Sequence, residues 1–185
     1  MMDILKSFNN PKLRNKLRHN TTIYIQENIQ VMQKFKEIEL GRGIGPVRFG
    51  MNREELKMLL GEPDEVENFS FEEDHNNTAE SWHYDEYEIS VAFEEIEGWK
   101  ITSIAVSSDE YEIKGQKLIG LSRKEVEKKL KQMGIDDLQY ENCSSPENPE
   151  LFLLSNDDEG LNLWFENGQL SEIQWCPVWE DEEEM

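Results

Sequence analysis

A short pattern typical of a helix start occurs twice in this chain, and the repetition constrains the fold more than any other feature. Residues 49–63 read FGMNREELKMLLGEP, and residues 119–130 read IGLSRKEVEKKL. Each copy places a capping residue three positions before a glutamate, Asn52 in the first and Ser122 in the second, which is the spacing of a capping box. A glycine stands two positions before each cap. The sequence therefore predicts two helices that open in the same way; two unrelated helix starts are the alternative.

Alternating apolar residues follow both helices and predict antiparallel strands. The alternating positions are Ile89, Val91 and Phe93 after the first helix, and Leu161, Leu163 and Phe165 after the second. A turn signal closes each run, at Gly98 in the first half and at Asn167-Gly168 in the second, and more apolar residues follow it. The predicted unit is a helix followed by about three antiparallel strands, used twice.

This pattern predicts an α+β fold of two tandem helix-plus-antiparallel-sheet repeats that form one continuous or adjoining sheet. The first αβββ repeat is predicted over residues 37–109 and the second over residues 110–179. Residues 1–36 are predicted to be a basic helical extension, because apolar residues recur there at helical spacing. Residues 180–185 form an acidic tail.

The charge of the chain favours cationic partners. The formal net charge is -21, a field that repels the phosphates of nucleic acid, so direct binding to nucleic acid is not expected. Residues 1–36 carry a net charge of +5 and the remaining residues carry -26. The alternative is that the acidity serves solubility alone.

The order of the helix and strand residues in the first half resembles the SmpA/OmlA type of small outer-membrane lipoprotein domain. The matching positions are Gly50, Met51, Leu56, Leu60, Gly61, Pro63, Trp82, Tyr84 and Phe93. The same fold in tandem resembles beta-lactamase inhibitor protein and similar bacterial inhibitor and immunity proteins. The resemblance covers about residues 44–107, and it extends more loosely over residues 112–179. It implies a binding surface on a continuous antiparallel sheet that has its helices on the other side.

Side-chain alternation predicts which residues lie on that surface. One sheet face is expected to be covered by Leu56, Leu59, Leu60, Val126 and Leu130. If Leu163 and Phe165 point to the helices, Trp164 points away from them, as does Ala92 in the first half.

The predicted partner-binding residues are tryptophans and acidic residues, because large rigid side chains supply binding hot spots and charges speed encounter. Trp164 is the first candidate, Trp99 at a loop tip and Trp179 near the tail are the next, and Glu94, Glu166 and the acidic tail would steer a basic protein. For the tryptophans the alternative is ordinary core or edge packing. For the tail it is a solvated segment without a binding role.

No pattern nominates catalysis, a cofactor or a metal. His19, His75 and His83 lack metal-ligand spacing, and the glycines of residues 41–46 lack the Lys-Ser/Thr of a phosphate loop and are better explained by a chain bend. Cys143 and Cys176 do not indicate a disulfide framework, although one bond between them stays possible.

The leading hypothesis is a non-enzymatic immunity or inhibitor protein that occludes a basic toxin or enzyme. No run approaches the roughly 18 apolar residues of a membrane span and no signal-peptide pattern opens the sequence, so we expect the cytosol and no membrane partner. The runner-up is an intracellular scaffold or regulatory module that uses the basic N-terminal arm for interaction. A small hydrolase or ligand-binding protein is the third hypothesis.

Overall fold

The computed structural model describes residues 36–70 and 78–178. The predictions for the N-terminal extension, His19, His75, Trp179 and the acidic tail lie outside the described residues. The strands, in chain order, are β1 (Glu37–Glu39), β2 (Gly43–Ile44), β3 (Val47–Arg48), β4 (Glu65–Ser70), β5 (Thr78–Tyr84), β6 (Ile89–Glu94), β7 (Lys100–Val106), β8 (Glu112–Ile113), β9 (Gln116–Lys117), β10 (Gln139–Asn142), β11 (Phe152–Asn156), β12 (Leu161–Glu166) and β13 (Gln169–Trp175). The helices are α1 (Arg53–Leu60) and α2 (Arg123–Gln132).

Both helices begin where the sequence predicts them to begin. The Asn52 side chain accepts a hydrogen bond from the Glu55 backbone N–H at 3.0 Å, and the Glu55 carboxylate accepts one from the Asn52 N–H at 2.9 Å. In α2 the Glu125 carboxylate accepts from the Ser122 backbone N–H at 3.0 Å and from the Ser122 hydroxyl at 2.6 Å. In α1 these bonds satisfy the N–H groups of Asn52 and Glu55, and in α2 they satisfy the N–H of Ser122; these amides have no partner within their helix.

An eight-stranded antiparallel sheet is the main feature of the fold, with the strand order β10-β11-β12-β13-β7-β6-β5-β4. It is continuous across both halves of the chain, because β13 pairs with β7 at its centre through Ile173–Val106, Gln174–Ala105 and Trp175–Ile104. A register shift follows Ala92 in the β6–β7 pair and another follows Trp164 in the β12–β13 pair.

A second, five-stranded sheet has the order β3-β2-β1-β8-β9. Its central pair, β1 with β8, is parallel and places Ile38 opposite Ile113. Both isoleucines are buried, as are Ile44 and Val47 in the hairpin of β2 and β3. This small sheet therefore supplies apolar residues to the core and joins a strand that precedes α1 to one that precedes α2.

The helices contribute fewer residues to the core than predicted. Leu56, Val126 and Leu130 are fully buried, but Leu59 has 44% of its surface exposed. Successive residues turn by about 100° around an α-helix. Leu59 and Lys57 therefore lie on opposite sides of α1, one on each side of the line of residues that faces the core. The prediction that Leu59 covers the sheet was wrong, because an eight-residue helix presents only a narrow line of residues to the core.

Four strands of the large sheet follow each helix, where the sequence predicts about three, and β8 and β9 of the small sheet also follow α1. The additional strands are β4 and β10, the two edges of the large sheet, and every residue in both is exposed. Neither strand has an alternation of buried and exposed residues, so the pattern that predicts the other strands is absent from them. Within the described ranges, no helix is long and apolar enough to cross a membrane.

Candidate protein-binding face

The large sheet has one face toward the helices and one face away from them, which we name the open face. On β6 and β12 the buried residues alternate with half-buried or exposed ones, as predicted. The side chains that cross-strand pairing places on the open face are Glu65, Glu67 and Phe69 of β4; Ala79, Ser81 and His83 of β5; Ser90, Ala92 and Glu94 of β6; Lys100, Ser103 and Ala105 of β7; Gln169, Glu172 and Gln174 of β13; Asn162, Trp164 and Glu166 of β12; Leu153 and Ser155 of β11; and Gln139 and Glu141 of β10.

Trp164 is half-buried on the open face and is held in place by polar contacts. Its indole N–H donates to the Gln174 side-chain oxygen at 3.1 Å, and the Gln174 amide donates to the Ser103 hydroxyl at 2.9 Å. The Ser171 hydroxyl donates to the Trp164 carbonyl at 3.0 Å. These hydrogen bonds connect β12 to β13 and β13 to β7. The orientation of the indole therefore depends on residues from both halves of the sheet.

Two residues lie directly opposite Trp164, Leu153 on β11 and Glu172 on β13. The Glu172 side chain is half-buried, and in the described part of the chain its carboxylate accepts no hydrogen bond and forms no ion pair. Burial raises the pKa of Glu172, the charge of Glu166 raises it further, and His83 opposes the shift. The open face thus holds an unpaired carboxylate beside an anchored tryptophan.

Acidic groups dominate the open face. It carries the carboxylates of Glu65, Glu67, Glu94, Glu141, Glu166 and Glu172 against the ammonium group of Lys100. His83 bonds to the Ser90 hydroxyl through Nδ1 at 2.8 Å, and its Nε2 lies 3.5 Å from the Glu67 carboxylate. The potential over this face is therefore negative, and it favours a cationic partner.

The predicted partner-binding residues do not all share one surface. The Arg53 guanidinium lies 4.1 Å from the centre of the Trp99 ring and also pairs with Glu80 at 2.8 Å, which places Trp99 on the helix side of the sheet. Glu94 and Glu166 are on the open face, each the second residue after a register shift. Glu166 also accepts from the Asn148 amide at 3.2 Å.

Sequence reasoning did not nominate Glu172. Glu172 precedes the buried Ile173 in β13, and neighbouring residues of a strand point to opposite faces. Its orientation toward the open face could therefore have been predicted. Its partial burial and its lack of a partner depend on neighbours from β12 and β7, and those neighbours are set by tertiary pairing. Only the structure identifies it as a candidate.

The two cysteines and the remaining titratable groups of the described residues can be compared with known kinds of reactive site. Cys143 and Cys176 are both free thiols. Burial raises the pKa of the Cys176 thiol and the charge of Asp157 adds to the shift, which is the opposite of what activates a nucleophile. Over residues 36–70 and 78–178, no cluster of three His, Cys, Asp or Glu side chains could hold a metal ion. A shallow cavity of about 330 Å³ lies beside His83, Glu88, Ser90 and Ser107.

Comparisons with known proteins add no functional assignment. No family model matches the chain, and no curated protein matches it. Among solved structures, an extracellular protein containing a SCP domain from Bacillus anthracis str. Ames is similar with a TM-score of 0.44 and 16% sequence identity, over 69% of this chain and 43% of that one. The matched part spans less than half of that protein. At this TM-score the similarity carries no argument about either fold or function.

Proposed function

We propose that this chain is a non-enzymatic protein-binding module of the immunity or inhibitor class, acting in the cytosol, which occludes a basic toxin or enzyme with the open face of its large sheet. The observation that carries the proposal is the pair formed by Trp164 and Glu172. A hot spot needs a rigid aromatic group next to polar groups that a partner can satisfy, and this pair offers both.

Glu172 gives the partner a specific chemical role. A half-buried carboxylate without an ion-pair partner is destabilising, and a Lys or Arg delivered by the partner would relieve that cost. The cation would at the same time contact the Trp164 ring, which attracts positive charge. The anchoring of Trp164 by Gln174 and Ser103 reduces the side-chain entropy that binding has to remove.

The other carboxylates of the open face act at longer range. They lie in both halves of the sheet, from Glu65 on one edge strand to Glu141 on the other. Such an extended negative surface speeds the encounter with a basic protein, and salt weakens the effect because all of these groups except the half-buried Glu94 are exposed.

We infer that the sheet which presents this surface is one unit used twice. Three contacts that recur in the two halves support the inference. The Gly50 N–H donates to Ile101 O at 3.2 Å and the Gly120 N–H donates to Leu170 O at 2.8 Å, before two helices in which the cap N–H donates to the glutamate three residues later. The register shift then recurs before Phe93 and before Phe165. In the tandem inhibitor proteins that the sequence resembles, a doubled sheet of this kind serves as the binding surface.

The test is affinity capture with matched variants. Immobilised wild-type protein, Trp164→Ala, Glu172→Gln and Trp99→Ala are exposed to a lysate of the source organism and its competitors. A captured basic protein is identified and purified, and its stoichiometry and inhibition are then measured. Trp99→Ala is the control, because it removes a tryptophan of similar burial from the helix side.

We expect a one-to-one complex that inhibits the partner. Trp164→Ala should weaken it by about 30-fold, as for a hot spot of about 2 kcal/mol, and Trp99→Ala should leave it unchanged. Equal affinity of the Trp164→Ala and wild-type proteins for the purified partner would refute the proposed surface. A stoichiometric complex with no inhibition would refute the inhibitor role and retain the binding role.

A further inference from the structure

The strand β4 forms one edge of the large sheet and has no strand on its outer side within the described residues. Its six residues are all exposed, and its pairing with β5 runs without a register shift from Glu65–His83 to Ser70–Thr78. A strand edge presents a row of backbone N–H and C=O groups that another extended chain can pair with.

Proteins commonly protect such edges with proline, charged side chains, lysine above all, a bulge or a very short strand. The β4 sequence, EVENFS, contains no proline and no lysine, and its ladder has no bulge. The opposite edge, β10, is four residues long and is followed by Pro146 and Pro149. The β4 edge is therefore the longer of the two, and the charges of Glu65 and Glu67 are what guard it.

The side chains of β4 define what can pair with it. Glu65, Glu67 and Phe69 lie on the open face, opposite His83, Ser81 and Ala79 of β5. Phe69 has 49% of its surface exposed. An added strand would place alternate residues beside these three, because side chains alternate between the faces of a sheet. A matching strand would carry two cations and one apolar residue at every second position, with the cations beside Glu65 and Glu67 and the apolar residue beside Phe69.

The same charges argue against a second copy of this chain as the occupant. Pairing β4 with another β4 would bring Glu65 and Glu67 of one copy beside those of the other, and pairing it with β10 would add Glu141. Like charges in neighbouring strands are destabilising. The negative charge of β4 therefore disfavours pairing with a second copy of this chain and favours pairing with a basic strand.

We propose that β4 is a docking edge for an extended basic segment of a partner protein, which adds to the large sheet as a ninth strand and places Lys or Arg at alternate positions beside Glu65 and Glu67. Backbone hydrogen bonds would hold the segment, and the alternation of charge would select it. This edge is separate from the Trp164 and Glu172 pair that carries the function proposed above, so each proposal can fail without the other.

The test uses the full chain and defined peptides. The probe is acetyl-Val-Thr-Lys-Thr-Lys-Thr-amide, whose lysines share one face when the peptide is extended. The first control, acetyl-Val-Lys-Lys-Thr-Thr-Thr-amide, has the same composition with its lysines on opposite faces. The second control is the probe with alternate backbone amides methylated, which removes hydrogen-bond donors and keeps the charge. Binding is followed by NMR titration of the amides of residues 65–70.

We expect the probe to shift and protect the β4 amides, and both controls to bind at least about tenfold more weakly, a difference of about 1.4 kcal/mol. The double variant Glu65→Lys, Glu67→Lys should lose the interaction. The double variant Gln139→Lys, Glu141→Lys, which alters the same face at the other edge, should retain it. All four positions are exposed, so these substitutions leave the core intact.

Three results would overturn the proposal. Equal binding of the probe and the lysine-shuffled control would show attraction by charge alone, without strand addition. Shifts confined to residues outside β4 would place the site elsewhere. A concentration-dependent dimer of the wild-type chain that protects the β4 amides without peptide would make a second copy the occupant.

Discussion

Trp164 and Glu172 lie directly opposite each other on neighbouring strands of the large sheet, on the face away from the helices. One supplies a ring held by a hydrogen bond, and the other supplies a carboxylate that forms no ion pair in the described part of the chain. Because each side chain is half-buried by the sheet itself, their chemistry can be tested in the isolated protein before any partner is known.

The first prediction concerns the pH dependence of stability. Burial raises the pKa of Glu172 above the ordinary value of 4.5. Between the unfolded and the folded pKa the folded chain binds more protons than the unfolded chain, so this group lowers the free energy of unfolding as the pH rises through that window. Glu172→Gln should remove the loss and make the protein more stable than wild type at neutral pH. Urea unfolding from about pH 4 to about pH 7 measures the difference.

The control for this titration is Glu141→Gln, which also changes a carboxylate on the open face but lies on the exposed edge strand β10. It should leave the pH dependence close to that of wild type. If Glu172→Gln and Glu141→Gln gave the same profile, the partial burial of Glu172 would have no energetic consequence.

A second prediction separates the surface tryptophan from a core tryptophan. Trp175 on β13 is fully buried at 0% exposure, whereas Trp164 on β12 is half-buried. Trp175→Ala should lower the free energy of unfolding by about 3–5 kcal/mol, and Trp164→Ala by about 1 kcal/mol. Urea unfolding of both variants checks the order. A larger loss for Trp164→Ala would mean that this side chain serves the fold and is a poor candidate for binding.

The capping box of α1 gives a third prediction. Asn52→Ala removes the acceptor for the Glu55 N–H and should cost about 1 kcal/mol. Because the Glu55 carboxylate also bonds to the Asn52 N–H, the two residues act together. In a double-mutant cycle with Glu55→Ala, the two losses measured by urea unfolding should not be additive. Strict additivity would show that the reciprocal bonds do not couple in solution.

The fourth prediction concerns Gly43, in the hairpin of β2 and β3. It has φ +141°, and a Cβ there would lie 2.1 Å from the Val47 carbonyl oxygen. Gly50 also has positive φ, at +80°, but a Cβ there would meet no atom within 4 Å. Gly50→Ala should cost about 1–2 kcal/mol for the left-handed backbone.

Gly43→Ala carries the additional clash with backbone that cannot move independently, so its loss should be at least about 2 kcal/mol larger. Thermal unfolding of the two variants makes the comparison. Similar melting temperatures for both would show that the hairpin opens at little cost. The bend predicted for residues 41–46 is thus a hairpin whose two strands approach closely at Gly43.

Local signals predicted the parts of this fold that local chemistry determines. The spacing of Asn52 to Glu55 and of Ser122 to Glu125 predicted both helix starts, because a cap needs only neighbours in sequence. The alternation at Leu163, Trp164 and Phe165 predicted the side of the sheet on which Trp164 lies. The sequence also predicted an α+β fold, which the structure confirms.

What the sequence did not predict depends on long-range pairing. Every residue of the edge strands β4 and β10 is exposed. These strands therefore lack the alternation of apolar and polar residues by which a strand is predicted. The parallel pair of β1 and β8 joins short segments far apart in the chain, and no local pattern indicates it. Trp99 at its loop tip gave no sign that Arg53 would lie over its ring and hold it on the helix side.

The chain crosses between its halves once, near residue 109, yet two sheets join those halves. β7 pairs with β13 in the large sheet, and β1 pairs with β8 in the small one. Because two separate strand pairs join the halves, the described part of the chain should unfold as one cooperative unit. Either half by itself would leave one strand of each pair without its partner. The same two strand pairs should let the halves associate even without the peptide segment that connects them. A break at that crossing would leave two fragments that complement each other along both sheets.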